Sequence, residues 1–208
     1  ITGNTVIDAL QLALNRVDTD ESLRLKIESA IVHSGFKELD SKFILVTGHR
    51  RENFGQGLLN ICEALKILAE NNPNINILYP VHLNPNVRNP VNELLSNIRN
   101  IQLVEPFQYE EFIYLMRKSY LILTDSGGIQ EEAPNLGKPV LVMRDATERP
   151  EAVEAGTVKL VGSDQESIVK EVQTLLDDSN EYQIMSKAHN PYGDGCASQK
   201  IVNRLKDL

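Results

Sequence analysis

One cluster of titratable and charged side chains in this sequence is His49-Arg50-Arg51-Glu52, which follows a short β-branched segment. Histidine exchanges a proton near neutral pH, and guanidinium groups carry a fixed positive charge that matches phosphate oxygens. Such a cluster can bind phosphate and stabilise a departing diphosphate while the imidazole carries a proton. A solvated, charged loop is the alternative interpretation of the same residues.

A second polar junction contains adjacent glycines, in the segment Asp125-Ser126-Gly127-Gly128. Without Cβ atoms, the backbone N–H groups can face an anion at the start of a helix, where unpaired donors and the helix dipole favour phosphate. A diphosphate fits such a junction. The alternative is a plain turn in which Ser126 or Asp125 caps the helix.

Several ionisable residues lie close to these two junctions in the predicted fold. Glu131 and Glu132 lie one turn into the same helix, where a carboxylate can accept hydrogen bonds from ribose hydroxyls or simply complement the helix dipole. His82 ends another predicted strand and either lines the same crevice or is structural. Arg144 and Arg149 follow a further strand and can reach a phosphate or pair with nearby acids.

Short β-branched segments alternate with amphipathic helices from residue 42 onward, and this alternation positions the polar junctions. The predicted strands are 43–47, 75–81, 102–105, 121–124, 140–143 and 158–161. The predicted helices are 5–17, 21–34, 58–70, 89–97, 109–118, 128–136, 150–155 and 165–177, with a terminal helix after residue 195.

Six strands joined by crossover helices predict an α/β fold with a doubly wound, parallel, six-stranded Rossmann-like sheet. If the strand order is 3-2-1-4-5-6, the chain reverses between strands 1 and 4, and a ligand crevice opens beyond their carboxyl ends. The two polar junctions follow those two strands. We therefore expect the binding site at this point of the sheet.

The composition argues against several classes of function. A formal net charge of −8 over 208 residues disfavours a nucleic-acid or anionic-membrane surface. No apolar run approaches the roughly 20 residues that span a bilayer. Cys62 and Cys196 have no neighbouring Cys or His at metal-ligand spacing, so we expect no metal site and a reducing, cytoplasmic environment. Dinucleotide, P-loop and nucleophile-elbow motifs are absent from the sequence.

Four segments carry a more specific signal, at residues 46–53, 80–87, 123–134 and 143–151. They closely resemble the non-hydrolysing UDP-N-acetylglucosamine 2-epimerases of bacteria and archaea, in the same order along the chain. The resemblance implies the second domain of a two-domain architecture of the GT-B type, with UDP-sugar bound between the domains. We expect a UDP-binding domain at 1–189 and, at 190–208, a terminal helix that packs against an N-terminal domain missing from this fragment.

The resemblance also implies a role for each candidate residue. The expected catalytic residues are His49 and Glu52. The expected UDP-sugar-binding residues are Phe107, Phe112, Ser126, Gly127, Gly128, Glu132 and Arg149. Arg50 and His82 resemble positions near an activating UDP-sugar site found in some members.

The chemistry implied by the resemblance is elimination of UDP to 2-acetamidoglucal, followed by re-addition of UDP with inverted configuration at C2. No redox cofactor or metal is implied. The carboxylates that handle the C2 proton lie in the family's first domain, so we expect this chain alone to be inactive. The expected partners are UDP-N-acetylglucosamine, UDP, the N-terminal domain and a second copy in a homodimer. A glycosyltransferase donor domain and a non-catalytic UDP-sugar-binding module are the alternatives.

Overall fold

The centre of the structure is a sheet of six short parallel strands. The strands are β1 (Phe43–Thr47), β2 (Asn76–Pro80), β3 (Ile101–Val104), β4 (Leu121–Thr124), β5 (Val140–Val142) and β6 (Val158–Leu160). Their order is β3-β2-β1-β4-β5-β6, which confirms the predicted doubly wound topology. The computed structural model describes residues 1–207, and Leu208, the last residue of the predicted terminal segment, lies outside the described residues.

The strands are almost continuously apolar because helices cover both faces of the sheet. Along β1, Ile44 and Val46 face one hydrophobic core, whereas Phe43 and Leu45 face the other. The adjacent strands β1 and β4 are in register through Thr47 and Thr124. The carboxyl ends of these two strands therefore lie side by side, as the predicted ligand crevice requires.

Ten α-helices flank the sheet within the described residues. They are α1 (Thr5–Thr19), α2 (Glu21–His33), α3 (Gln56–Asn71), α4 (Pro85–Leu95), α5 (Tyr109–Lys118), α6 (Gly127–Asn135), α7 (Pro150–Glu154), α8 (Gln165–Asp177), α9 (Ser179–Lys187) and α10 (Ala197–Lys206). One face is covered by α3, α4 and α8, and the other by α1, α2, α5 and α6. Among these helices, none combines the length and apolarity needed to cross a membrane.

Two helices differ from the sequence prediction. The prediction for α4 was wrong at its start, because the Asn84 side chain accepts a hydrogen bond from the Asn86 N–H and Pro85 occupies the first turn. The helix α9 was not predicted; within the described chain none of its side chains is fully buried, and only Met185 and Tyr182 pack on neighbouring apolar groups. It starts where the Asp178 carboxylate accepts hydrogen bonds from two backbone N–H groups.

The terminal helix α10 is fastened to α1 at its first turn. The buried carboxylate of Asp8 accepts hydrogen bonds from the backbone N–H groups of Ala197 at 3.1 Å and Ser198 at 2.7 Å. The rest of α10 turns apolar side chains to the outside, at Ile201, Val202 and Leu205. The helix is therefore anchored to this domain at one end and carries an uncovered apolar face farther along.

Candidate functional site

The loop after β1 is held in place by one carboxylate from the loop after β4. Asp125 is only 1% exposed. Its Oδ2 accepts hydrogen bonds from the backbone N–H groups of His49 at 2.9 Å and Arg50 at 2.8 Å. The Asn53 amide Nδ2 donates to the same oxygen at 3.3 Å, and Nδ1 of His49 lies 3.3 Å from Oδ1. The two predicted polar junctions thus form one connected unit.

The sequence interpretation missed this function of Asp125 and treated it only as a helix cap. Asn53 was also missed, although its amide bridges Asp125 and the carbonyl of Met143 at 3.0 Å. A usable signal was present, because Asp125 directly follows β4 and the adjacent strand β1 ends at the same height. A carboxylate in that position can reach the neighbouring loop.

His82 lies beside His49, so the structure brings two of the predicted residues together. The imidazole rings stack with centroids 5.7 Å apart and an interplanar angle of 25°. Nδ1 of His82 accepts a hydrogen bond from the Asn84 backbone N–H at 3.1 Å. In neutral His82 the proton is consequently assigned to Nε2.

At the start of α6 the Ser126 backbone N–H donates to Oγ1 of Thr124 at 3.0 Å, whereas the N–H groups of Gly127 and Gly128 have no acceptor within the described residues. Ser126 occupies the N-cap position, but its side chain makes no capping hydrogen bond within the described residues. Neither Gly127 nor Gly128 has a positive φ, and a Cβ at Gly128 would meet no atom within 4 Å apart from its chain neighbours and the backbone of its own helix, among the described residues. Glycine weakens a helix relative to alanine. Backbone conformation and packing therefore do not require glycine at position 128, which is consistent with space kept open for a ligand.

Two arginine side chains converge on this helix start. A Cβ built on Gly127 would lie 3.6 Å from Nη2 of Arg50 and 3.9 Å from Nη2 of Arg149. Nε of Arg50 is buried without a hydrogen-bond partner among residues 1–207. Two guanidinium groups and the positive end of a helix dipole thus face one small space, which favours an anion with several oxygens.

Arg149 also pairs with an acid, as the alternative interpretation of the sequence proposed. Its Nε donates to the buried carboxylate of Glu131, and Nη1 donates to the Glu148 carbonyl at 3.2 Å. The Glu131 carboxylate raises the pKa of Arg149 above its ordinary value. The pairing leaves Nη2 directed at Gly127, so ion pairing and phosphate binding are compatible for this side chain.

Glu132 is a buried carboxylate with one oxygen occupied. Tyr109 donates its hydroxyl hydrogen to Oε1 of Glu132 at 2.8 Å. Burial raises the pKa of Glu132; the Tyr109 hydrogen bond opposes this effect, and the neighbouring Glu131 adds to it. Within the described residues Oε2 accepts no hydrogen bond, so it remains available to a hydroxyl group of a ligand.

Glu52, one of the two expected catalytic residues, is engaged by Arg144. Nε of Arg144 donates to Glu52, and Nη1 donates to Glu148 at 2.6 Å. The Arg144 guanidinium lowers the pKa of Glu148 to about 2. Arg144 is buried between these acids, which agrees with the ion-pairing interpretation made for it. The charge of Glu52 is thereby balanced within the protein.

The two aromatic residues expected near uracil follow β3 in the chain. Phe107 follows β3, and Phe112 lies in the first part of α5. Both rings are half-buried against the core that contains α1 and α5. Between them, the Glu111 carboxylate accepts a hydrogen bond from the Gln108 backbone N–H at 2.9 Å at the start of α5. The arrangement holds the two rings on a rigid helix start.

Comparison with known proteins gives consistent matches over the whole chain. The profile of the family described as UDP-N-acetylglucosamine 2-epimerase matches residues 1–206. A Campylobacter jejuni protein of the same name is 64% identical over 205 residues, which cover 99% of this chain and 54% of the relative. The chain therefore spans about half the length of the curated relatives it matches.

Two solved structures agree in fold. The crystal structure of UDP-GlcNAc 2-epimerase from Neisseria meningitidis bound to UDP-GlcNAc matches with a TM-score of 0.92 and 50% identity, over 100% of this chain and 55% of that chain. The Methanocaldococcus jannaschii UDP-GlcNAc 2-epimerase in complex with UDP-GlcNAc and UDP matches with a TM-score of 0.80 and 32% identity, over 100% and 54% of the two chains.

Proposed function

Because the chain belongs to the UDP-N-acetylglucosamine 2-epimerase family, we propose that it supplies the half of the enzyme's active site that binds the uridine and the diphosphate. The observation that carries this proposal is the convergence of Arg50 and Arg149 on the uncovered start of α6, where the chain reverses between β1 and β4. Paired guanidinium groups and orphan backbone donors hold a diphosphate. Membership of this family favours an epimerase over the glycosyltransferase donor domain.

In the proposed reaction, C2 of UDP-N-acetylglucosamine loses its proton while the bond from C1 to the β-phosphate oxygen breaks. The departing UDP takes the bonding electron pair, so negative charge develops on that oxygen. Arg50, Arg149 and the N–H groups at the start of α6 stabilise this charge. UDP then adds back to C1 of the 2-acetamidoglucal, and C2 receives a proton on the opposite face to give UDP-N-acetylmannosamine.

His49 has a different role in this proposal. Its backbone is fixed by Asp125, and its partly exposed imidazole lies between the Asp125 carboxylate and the stacked ring of His82. We assign it proton transfer at the diphosphate and the reacting sugar, a role that suits an imidazole near neutral pH. Glu52 stays in the proposed catalytic set, acting next to His49 from its ion pair with Arg144.

The remaining candidate residues are proposed to bind the uridine side of the ligand. Oε2 of Glu132 is proposed to accept a hydrogen bond from the ribose, while Phe107 and Phe112 frame the uracil. Arg50 and His82 remain candidates for an activating UDP-sugar site, although Arg50 also faces the diphosphate position.

The same proposal extends to the N-terminal domain, the oligomeric state and the cellular location. The uncovered apolar face of α10 is proposed to pack against the N-terminal domain, which would provide the other wall of the cleft. This keeps residues 1–189 as the nucleotide-binding domain and 190–208 as the contact segment. The homodimer and the cytoplasmic location remain predictions based on the family resemblance and on the free cysteines Cys62 and Cys196.

This division of labour predicts that the chain binds UDP but does not exchange the C2 proton of UDP-N-acetylglucosamine. A base must lie within hydrogen-bond reach of an unactivated proton, and the family's candidates belong to the other domain. We expect C2 exchange in deuterium oxide, followed by NMR, to proceed no faster than without protein. Rapid deuterium incorporation that is lost in His49→Ala would place the base in this chain and contradict the proposed division.

A second prediction concerns the ribose contact. Glu132→Ala is expected to weaken UDP binding by roughly 1.5 to 3 kcal/mol, the range for hydrogen bonds to a charged group, and to affect inorganic pyrophosphate far less. Because burial raises the pKa of Glu132, acidification should begin to weaken UDP binding at a higher pH than for an exposed glutamate. Titration calorimetry with both ligands checks this. Equal losses for the two ligands would mean that Glu132 acts through α6 instead of the ribose.

A further inference from the structure

Glu131 is a buried carboxylate that the proposed reaction does not use. Its side chain is 8% exposed, and it lies in α6 directly before Glu132. Oε1 accepts a hydrogen bond from Nε of Arg149, and Oε2 accepts one from the Asn4 amide at 2.7 Å. Both oxygens are therefore occupied by groups from other parts of the chain.

The pairing fixes the direction of Arg149. With Nε bound to Glu131 and Nη1 bound to the Glu148 carbonyl, Nη2 points toward Gly127. The Arg149 side chain is about one-third exposed, and a free arginine side chain loses rotamer entropy when it is ordered. An arginine that is already ordered loses less of this freedom when a phosphate binds.

The carboxylate is itself held on its second side. Asn4 accepts a hydrogen bond from the Val6 N–H at 3.1 Å as the N-cap of α1, and its own N–H donates to the Tyr192 carbonyl at 2.7 Å. The Asn190 amide donates to the Glu131 carbonyl oxygen at 3.1 Å. Glu131 is thus fixed from α1 and from the segment that precedes α10.

The pair of Arg149 and Glu131 differs from the ion pairs that Arg144 makes in the same chain. Arg144 also binds two acids, Glu52 and Glu148, but the side chains of those acids are 49% and 55% exposed. Exposed carboxylates keep their side-chain freedom and are screened by water, so they hold an arginine side chain only weakly in one conformation. The carboxylate of Glu131 is buried and bonded on both oxygens, so it can determine where Arg149 points.

We propose that Glu131 is a positioning residue that acts through Arg149 and is itself held by Asn4. The inference rests on the proposed function, because it assumes that Arg149 contacts the diphosphate. Simple electrostatics gives the opposite expectation, since removal of a negative charge close to a bound anion should tighten binding. The sign of the change in UDP affinity therefore separates the two effects.

The test is a double-mutant cycle in the 208-residue chain, with Glu131→Gln, Arg149→Ala and the double variant titrated with UDP and with uridine. Glutamine keeps the shape of the side chain, but its single carbonyl oxygen can satisfy only one of Arg149 and Asn4. We expect Glu131→Gln to weaken UDP binding about tenfold, a size typical of coupled neighbours, and to leave uridine binding within about twofold. In the Arg149→Ala background the same change should alter UDP binding by less than about twofold.

Asn4→Ser provides a milder variant. Serine retains an oxygen that caps α1 but is too short to reach Glu131. We expect thermal unfolding close to that of the original chain and a loss of UDP affinity of about threefold, with uridine binding unchanged.

The outcomes separate the inference from the proposed function. Unchanged or tighter UDP binding in Glu131→Gln refutes the positioning role. An equal loss in the Arg149→Ala background also refutes it, because Glu131 would then act through the fold. If the original chain does not bind UDP, or if Arg149→Ala binds it with unchanged affinity, the proposed diphosphate site is wrong, whatever the effect of Glu131→Gln.

Discussion

Replacement of Gly127 by valine should lower the affinity for UDP by at least about a hundredfold while the chain still unfolds cooperatively. The Cβ at this position points to the guanidinium groups of Arg50 and Arg149, 3.6 Å and 3.9 Å away. A branched side chain would therefore fill the space assigned to the phosphates. Loss of two charge-assisted hydrogen bonds, each about 1.5 to 3 kcal/mol, gives a change of this size.

The neighbouring glycine, itself among the expected UDP-binding residues, provides a comparison for the stability of the fold. Apart from its chain neighbours and its own helix backbone, a Cβ at Gly128 meets no described atom within 4 Å, so Gly128→Ala should stabilise the chain by up to about 1 kcal/mol through helix propensity. Titration calorimetry with UDP and thermal unfolding of both variants make the comparison. Unchanged UDP affinity in Gly127→Val would remove this helix start from the binding site.

Substitution of Asp125 by alanine is expected to have the largest effect on stability. The change removes the acceptor of the part-buried backbone N–H groups of His49 and Arg50 and one of the two acceptors of the buried Asn53 amide. Unsatisfied buried donors cost about 1 to 3 kcal/mol each, and partial relaxation of the loop limits the total to about 2 to 5 kcal/mol. UDP binding should fall as well, because Arg50 is part of the released loop.

Asp125→Asn separates shape from charge in this prediction. The amide has the same outline but only one acceptor oxygen, so it should retain part of the loop contacts and lose an intermediate amount of stability. Urea denaturation of both variants gives the free energies of unfolding. If Asp125→Ala unfolds like the original chain, the loop after β1 is not held by this carboxylate.

The fold was largely predictable because its signal is periodic. Six apolar segments separated by amphipathic helices imply the parallel sheet, and the positions of β1 and β4 predict where the candidate site lies. The start of α4 and the whole of α9 depend on local hydrogen bonds of Asn84 and Asp178, which carry no periodic pattern. Helix boundaries set by capping residues were therefore the main errors.

The candidate residues were identified from the sequence, but their contacts were not. His49 and Asp125 meet because β1 and β4 are neighbours in a particular register, which only the folded sheet determines. The sequence left two interpretations for Arg149, an ion pair or a phosphate contact. In the structure Nε of Arg149 binds Glu131 while Nη2 faces Gly127, so the ion pair and the phosphate contact are compatible. Residue types alone do not specify this side-chain geometry.

The central strand pair also has a consequence for how the protein folds. The hydroxyl groups of Thr47 and Thr124 meet at 2.6 Å across 77 positions of sequence, and Asp125 reaches His49 across 76. Contacts between residues so far apart in sequence form slowly, because the chain must lose the entropy of closing a large loop before these contacts stabilise it. The proposed anion site therefore cannot form in a partly folded chain that lacks the β1–β4 pairing. A nucleotide that binds there draws the whole population toward the native state by mass action, by about 2.7 kcal/mol at a hundred times its dissociation constant.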